Sequence, residues 1–578
     1  MRLKPQVAPP PSTPIALGRW ARARTGSEVL ARALEAAAQA EFEGHACARL
    51  DPSSARLDEL RAHPWVGDGS RMTPLVLTAD GACYLWRNHA NEARVGAAIL
   101  ARASCPAHAD AQDLADLDTL FAPMDPVRAA GQSEAVRRSL GRRFLVLSGG
   151  PGTGKTTTVL RLLLLRLRQA ARAGRACAIA LAAPTGKAAQ RLSQSLRTGL
   201  DELRAQLAGQ PGDWDPALAS VPDGARTLHR LLGADPREDR FRHAAENPLP
   251  HDLVVVDEAS MVDLRLMRAL LDALPPKATL VLVGDPDQLV SVSAGSVLAD
   301  VVAAAANAPL ADCLAPLAHG WRSGGRLPEV NAAVRAGDRA GLEKLIGEGV
   351  LDRALVTDTA SLEQCLRRWL QRGEWPALAA CAGQPDAAPA EAFAALRRVQ
   401  LLCALRSGPF GADEVNRSLD AHLREQHAGA QWYPGRPVLV RHNDYDRRLY
   451  NGDVGLALYA GGRLIVCFES TDADGRTHHR LLLPNELPEH DLGYALTIHQ
   501  SQGSEYEHVA VLLPPDGGNR VLSRQLLYTG VSRARRSLEI WASESSLAAA
   551  LAQRAERNGG LRVRLQGEGT RARGHEGT

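Results

Sequence analysis

Lysine is nearly missing from this chain. Lys4, Lys155, Lys187, Lys277 and Lys344 are the only five, against 63 arginines. A site that keeps a lysine here is one that needs a compact ammonium rather than a planar guanidinium. Long apolar runs are missing too. Arginine interrupts even Val159–Leu167, well short of the ~18 residues that cross a bilayer. The N-terminal Met1-Arg-Leu-Lys-Pro stretch has no apolar segment of the signal-peptide kind. The nine cysteines are scattered, and even the nearest two, Cys365 and Cys381, are far from a CxxC spacing. Net charge is only +3, so any basic track for a polyanion has to be local. These absences lead us to expect a cytoplasmic, reduced chain without a metal cluster.

What is present has an ordinary globular composition, 45% hydrophobic and 23% charged over 578 residues. At roughly 150 residues per unit that is about four folding units. Residues 1–112, rich in Ala, Leu and Glu, predict an N-terminal helical domain. Across 113–320, short apolar runs (Phe144–Leu147, Ala178–Ala182, Leu253–Val256, Leu280–Val283) alternate with helical stretches. That is the pattern of a parallel α/β sheet, whose ligands bind at the C-terminal ends of the strands. A Pro/Gly/Asp-rich stretch, Gln210–Gly224, reads as a surface loop. A second, less regular α/β region covers 321–557. Inside it, 432–489 is rich in Gly turns and short strands and reads as an inserted β module. The Gly/Arg-rich tail, 558–578, is expected to be disordered.

Three segments carry chemistry. Gly149-Gly150-Pro151-Gly152-Thr153-Gly154-Lys155-Thr156 matches GxxxxGK[ST] between a strand and a helix, the context in which backbone N–H groups cradle phosphates. Lys155 would reach the β- and γ-phosphates of ATP and Thr156 would ligate Mg2+, with Thr157 closing the nucleotide-binding set. Leu253-Val-Val-Val-Asp257-Glu258 is an apolar strand ending in two carboxylates. Asp257 would hold Mg2+ through its water shell, and Glu258 would orient or deprotonate the attacking water. Leu280-Val-Leu-Val-Gly284-Asp285-Pro-Asp-Gln288 brings an amide to a third strand end, where Gln288 can sense the γ-phosphate.

In order and spacing these segments resemble the superfamily 1 DNA helicases, and more closely the RecD family, alpha subunits of RecBCD (exodeoxyribonuclease V) complexes. The resemblance runs from about Gln132 to Ala542. Ala183-Pro184-Thr185-Gly186-Lys187 resembles motif Ia, and Thr227-Leu-His229-Arg230 the DNA-contacting motif after it. Trp321-Arg322 resembles motif IV, although Trp-Arg-Ser-Gly-Gly departs from the aromatic-Arg-aromatic form. Thr497-Ile-His499-Gln500-Ser-Gln-Gly503-Ser504-Glu505 resembles motif V, with Gln500 where the family usually has lysine. Tyr528-Thr529-Gly-Val-Ser532-Arg533 resembles motif VI.

The resemblance implies two RecA-like P-loop lobes with ATP between them. Gln132 would read adenine, and Arg533 and Arg322 would reach the γ-phosphate from the second lobe. It also implies single-stranded DNA contacts from Pro184, Thr185, Lys187, Thr227, His229, Thr497 and His499. Leu-Val-Ser-Val after Gln288, and an SH3-like insertion at 432–489, are similar to the 5′–3′ group. The expectation is an ATP-dependent 5′–3′ helicase subunit in a heterotrimer with RecB-like and RecC-like chains. Residues 1–112 would dock on the RecC-like chain. Such a complex acts at duplex ends in double-strand-break repair by homologous recombination and in degrading linear duplex DNA. A carboxylate–lysine nuclease cluster is not apparent, so exonuclease activity would belong to a partner. Two alternatives stay open: a stand-alone RecD-like helicase, and a DNA-binding ATPase that loads without unwinding.

Overall fold

The computed structural model describes residues 13–567, apart from 52–53, 55, 107, 211, 236–239, 307–308, 318–324, 443, 445, 448 and 472–476. In the N-terminal region, helices Thr13–Thr25, Glu28–Phe42, Arg56–Arg61 and Trp86–Ala103 flank a four-stranded sheet. It comprises β1 (Ala48–Arg49), β2 (Val66–Gly67), β3 (Leu75–Leu77) and β4 (Ala82–Leu85), in the order β1-β4-β3-β2. The region is therefore mixed rather than helical. Its strands are two to four residues long, too short to register against the Ala-rich helical pattern around them. The expected boundary at 112 falls inside the helix Ala111–Phe121, which starts at a capping box between Asp110 and Asp113. Asp113 and Asp116 turn inward and pair with Arg172 and Arg168 of the helix Lys155–Arg172.

The first lobe is built on a parallel sheet of six strands: β5 (Phe144–Ser148), β6 (Ile179–Ala183), β7 (Arg226–Thr227), β10 (Leu253–Val256), β11 (Thr279–Gly284) and β12 (Leu314–Pro316). Between β7 and β10 a two-stranded hairpin, β8 (Ala234–Asp235) with β9 (Arg240–Phe241), projects outside the sheet. Strands β5, β10 and β11 are buried at every position, because helices cover both faces of a parallel sheet; hence their unbroken apolar runs. The order β12-β5-β11-β10-β6-β7 sets the chemistry. Strands β5, β11 and β10 are neighbours, so the phosphate loop, Gln288 and the Asp257–Glu258 pair emerge side by side. Pro184, Thr185 and Thr227 emerge from β6 and β7. The Gln210–Gly224 stretch is not a free loop: Trp214 is buried, with the Arg168 guanidinium 4.1 Å from its ring centre.

The second lobe has a parallel five-stranded sheet: β13 (Asp352–Leu355), β14 (Val399–Cys403), β20 (Ala495–Thr497), β21 (Tyr506–Leu512) and β22 (Ala534–Ala542), in the order β13-β22-β21-β14-β20. Inserted between β14 and β20 is an antiparallel sheet with its own core of Val438, Val440, Ala457, Val466 and Phe468. Its strands are β15 (Pro437–Val440), β16 (Val454–Ala460), β17 (Arg463–Thr471), β18 (Thr477–Leu482) and β19 (His490–Leu492). The insertion thus reaches past the expected limit at 489. Its root is polar: Asp420, on the helix Ala412–Gln426, accepts from the Tyr433 hydroxyl at 2.6 Å and pairs with Arg436 at 3.1 Å.

Disorder does not hold for the described part of the tail. The Asn558 carbonyl accepts from the Ala46 N–H at 2.8 Å, and the Gly560 N–H donates to the Glu92 carboxylate at 3.0 Å. The helix Leu561–Leu565 then buries Leu561 and Leu565 in the core that contains Val95 and Ile99. Two leucines four apart share one helix face, a signal too short to outweigh the surrounding Gly and Arg. Residues 568–578 lie outside the described residues. Leu561→Ala should cost about 2–5 kcal/mol at this junction. The expected readout is faster amide exchange in 86–103 and 558–567, and unchanged exchange there would contradict the packing.

Candidate active site

The phosphate loop joins β5 to the helix Lys155–Arg172, so its N–H groups and the helix N-terminus converge on one spot. Lys155 Nζ donates to its own loop, to the carbonyls of Gly149 (2.6 Å) and Gly150 (2.9 Å). Gly154 has φ +83°, and a Cβ there would drive into the Gln132 amide. At the end of β10 the Asp257 carboxylate accepts from the Glu258 N–H at 2.9 Å. Glu258 itself has φ 50°, a left-handed backbone that costs of order 1–3 kcal/mol and marks sites where geometry outranks stability. Burial, aided by the Glu258 charge and opposed by Lys155, pushes the Asp257 carboxyl up to about 6.

The second lobe completes the site. Arg533 is 2% exposed. It donates to three neutral oxygens: the Thr529 carbonyl (2.9 Å), the Ser504 carbonyl (3.2 Å) and the Ser532 hydroxyl (3.3 Å). Among the described residues it makes no ion pair. Burial pulls its pKa down while Glu258 opposes the shift, as expected of a cation held dry beside an acidic site. Three hydrogen bonds join the segment after β11 to the second lobe. Tyr528 Oη donates to Asp285 at 2.9 Å, the Leu289 N–H donates to Thr529 Oγ1 at 2.8 Å, and Gln502 Nε2 donates to the Leu289 carbonyl at 3.0 Å. Lys155, Thr156, Asp257, Glu258, Gln288 and Arg533 line one small cavity of about 60 Å³. It lies beside a cleft of about 1060 Å³, with which it shares Gly152, Gly154, Thr156 and Arg191, and whose lining also includes Met124 and Gln132.

These residues fit a magnesium nucleotide. Two buried amide oxygens, Gln132 Oε1 and Gln288 Oε1, have no partner among the described residues; Gln132 lines the wide cleft and Gln288 the small cavity. The desolvated Asp257 carboxylate beside the helix-borne Thr156 hydroxyl offers oxygen donors for a hard divalent cation. Arg533 and Lys155 would supply the positive charge that a triphosphate requires.

The DNA-contact candidates are distributed over both lobes. Thr185 caps the helix Gly186–Leu207, accepting from the Ala188 N–H at 3.2 Å, and Thr227 caps Leu228–Leu232 through the Arg230 N–H at 3.2 Å. His229 packs 6.0 Å from the Phe241 ring. The next residue, Arg230, lies 4.6 Å above the ring of Tyr450, in the loop between β15 and β16, bridging the insertion to the first lobe. On the second lobe, Gln500 Oε1 accepts from both the N–H (2.9 Å) and the hydroxyl (3.0 Å) of Thr497. The position that usually carries lysine is here a turn-closing amide. Burial, with Arg557 adding to it, lowers the pKa of His499. Pro184 and Lys187 occupy the first turn after β6. Arg322 lies outside the described residues. Sequence alone assigns no role to Arg191, Asp285, Gln502, Glu505 or Tyr528. Four of the five stand inside the quoted motifs, and Arg191 falls four residues after Lys187, on the same helix face.

A family model described as an AAA domain matches residues 132–294, and one described as a UvrD-like helicase C-terminal domain matches 492–540. The RecBCD enzyme subunit RecD of Mycobacterium tuberculosis (strain ATCC 25618 / H37Rv) is 40% identical over 519 residues, 89% of this chain and 84% of that protein. RecD of Mycolicibacterium smegmatis is 40% identical over 76% of this chain and 75% of its own length. The ATP-dependent RecD2 DNA helicase of Deinococcus radiodurans is 32% identical over 75% of this chain and 52% of its own length. A structure of Pif1 helicase from Bacteroides with ADP-AlF3 and ssDNA aligns at a TM-score of 0.36 and 15% identity, covering 75% of this chain and 94% of that one.

Gly154 offers a direct check of the nucleotide fit. Gly154→Ala imposes a left-handed backbone on a residue with a Cβ, which costs about 1–2 kcal/mol, and displaces the Gln132 amide. Binding of a fluorescent ADP analogue should fall at least about tenfold, the equivalent of 1.4 kcal/mol. Unchanged affinity would contradict the fit.

Proposed function

This chain belongs to the RecD family of ATP-dependent DNA helicases, and from that premise we propose that it is the 5′–3′ translocating subunit of a RecBCD-type helicase–nuclease. The carrying observation is the convergence of Lys155, Asp257, Glu258, Gln288 and Arg533, from two parallel α/β lobes, on one phosphate-sized cavity. ATP enters from the wide cleft, its adenine taking the free carbonyl of Gln132. Lys155 leaves the Gly149 and Gly150 carbonyls for the β- and γ-phosphates. Thr156 and Asp257 would hold Mg2+, which when bound would draw negative charge from the phosphates. Glu258 accepts the proton of the attacking water, Gln288 orients that water or the γ-phosphate, and Arg533 neutralises the charge that develops on the transferred group. Arg322 is proposed beside it from the family motif.

Hydrolysis must move DNA, and the strand order favours that. The nucleotide groups leave β5, β11 and β10, while Pro184, Thr185, Lys187, Thr227 and His229 leave or follow β6 and β7 on the same edge of the sheet. Contacts from threonine, histidine and lysine to phosphate and stacked bases carry no sequence preference, as a translocase requires. Thr497 and His499 supply the grip of the second lobe. The 5′–3′ direction is supported by the segment after Gln288. Instead of an aromatic aimed at DNA, Leu289 is buried and docks on Thr529 and Gln502. The five-stranded insertion, with its separate core, supports the SH3-like reading.

The names of the mycobacterial relatives and the identity to them favour a heterotrimer with RecB-like and RecC-like chains, working at duplex ends in recombinational repair and linear-DNA degradation. In that setting exonuclease V activity belongs to the complex. The N-terminal region exposes Ile15, Trp20, Phe42 and Met72, the last two about 80%, apolar side chains available to a RecC-like partner. A stand-alone helicase is the second reading, favoured by the RecD2 likeness.

Two measurements test this. Lys155→Gln removes a point charge from the phosphates and nothing from a core. It should abolish ATP hydrolysis with the fold intact, and near-native turnover would sink the phosphate assignment. In tailed-duplex unwinding with this chain as the only active motor, a 5′ single-stranded tail should be used and a 3′ tail not. Unwinding from 3′ tails alone would overturn the direction, whereas robust 5′ unwinding without partners would favour the stand-alone reading.

A further inference from the structure

The helix Gly186–Leu207 begins at Thr185 and Lys187, the proposed DNA contacts of the first lobe. One turn beyond Lys187, on the same face, stands Arg191. Its fork crosses the cleft. NH1 donates to the Gly503 carbonyl at 2.8 Å, and NH2 pairs with Glu505 Oε1 at 2.5 Å. The other Glu505 oxygen is taken by Arg535, with Nε at 2.8 Å. Between these anchors lies Ser504, whose carbonyl accepts from Arg533 NH1 at 3.2 Å. The two elements are neighbours: a Cβ on Gly503 would lie in ordinary van der Waals contact, 3.6 Å, with that of Ala188, one turn before Arg191.

Arg191 therefore holds the residues on both sides of the carbonyl that orients Arg533. A planar fork serves this better than an ammonium, because two acceptors at fixed spacing must be met at once. Arg191 also lines both the small cavity and the wide cleft, so the charge sits where the lobes meet rather than on an outer face. We propose that Arg191 is the positioning residue through which DNA bound at the start of its helix sets Arg533 for ATP hydrolysis. This rests on the nucleotide-site reading above. When DNA shifts the first turn of the helix, Arg191 carries the 503–505 segment with it, and the Arg533 guanidinium follows through the Ser504 carbonyl. Without that link Arg533 keeps its bonds to Thr529 and Ser532 but loses its alignment to the first lobe.

The test is steady-state ATP hydrolysis by the full-length chain, with and without a single-stranded oligonucleotide. The variants are Arg191→Gln, Arg191→Lys, Arg533→Ala and the double variant Arg191→Gln/Arg533→Ala. Both replacements at 191 keep an aliphatic stem in place. Arg191→Gln should lower the DNA-stimulated kcat at least about tenfold, with KM for ATP and oligonucleotide affinity within about threefold of the parent. Arg191→Lys should recover part of the loss. Because Arg191 acts through Arg533, the double variant should be no slower than Arg533→Ala. Unchanged kcat in Arg191→Gln, with Arg533→Ala inactive, would overturn this inference and leave the site reading standing. So would losses that multiply in the double variant, or a matching collapse of ATP-analogue binding. Normal turnover in Arg533→Ala would overturn the site reading and this inference together.

Discussion

The whole arrangement depends on the short polar seam that joins the end of β11 to the second lobe. Asp285 accepts from the Tyr528 hydroxyl, the Leu289 N–H is taken by the Thr529 hydroxyl, and its carbonyl is taken by the Gln502 amide. These groups are buried, and a buried hydrogen-bonding group stripped of its partner costs about 1–3 kcal/mol. Opening the seam without solvating it is therefore expensive, which fixes the register between the lobes. The same segment carries Gln288. Whatever changes the lobe contact changes the position of the amide facing the phosphates, and the converse holds by linkage.

Around this seam the molecule gathers charged and strained groups on one small cavity. Arg533 is dry and bonded to neutral oxygens alone, and Lys155 rests on carbonyls of its own loop. Asp257 is a desolvated carboxylate beside another, and Glu258 sits in left-handed backbone. The desolvated Asp257 carboxylate and the dry Arg533 guanidinium are costly in the folded chain by themselves, and a triphosphate with its cation would offset that cost. Under the proposed function, binding energy would then draw the lobes together and hydrolysis would release them. The seam would keep the lobes registered, and the buried charges in the pocket would make their closure conditional on nucleotide.

Much of this was legible in the sequence because parallel sheets advertise themselves. Phe144–Leu147, Leu253–Val256 and Leu280–Val283 are buried on both faces and read as unbroken apolar runs, each ending in its polar tip. The lysine shortage made Lys155 conspicuous for a physical reason. The N-terminal sheet was not legible, since strands of two to four residues carry no measurable periodicity inside Ala-rich helices. The helix Leu561–Leu565 was hidden for a different reason: its partners, Val95 and Ile99, lie more than four hundred residues away in the chain. The Arg191–Glu505 pair failed for the same cause. Nothing local distinguishes one arginine among 63 until the fold brings its carboxylate across the cleft. Gln500 was visible as a departure, yet only the geometry gives it a task, closing the turn at Thr497.

The central claim is that nucleotide is held by the first lobe and read by the second. The most direct measurement is a structure of the chain bound to Mg2+, ADP and aluminium fluoride as the mimic of the transferring phosphoryl group. Lys155 should be withdrawn from the Gly149 and Gly150 carbonyls onto the nucleotide, and the Arg533 guanidinium should lie within hydrogen-bond distance of the fluoride group. A nucleotide bound with Arg533 still facing only Thr529, Ser504 and Ser532, and with no second-lobe atom touching it, would contradict the account.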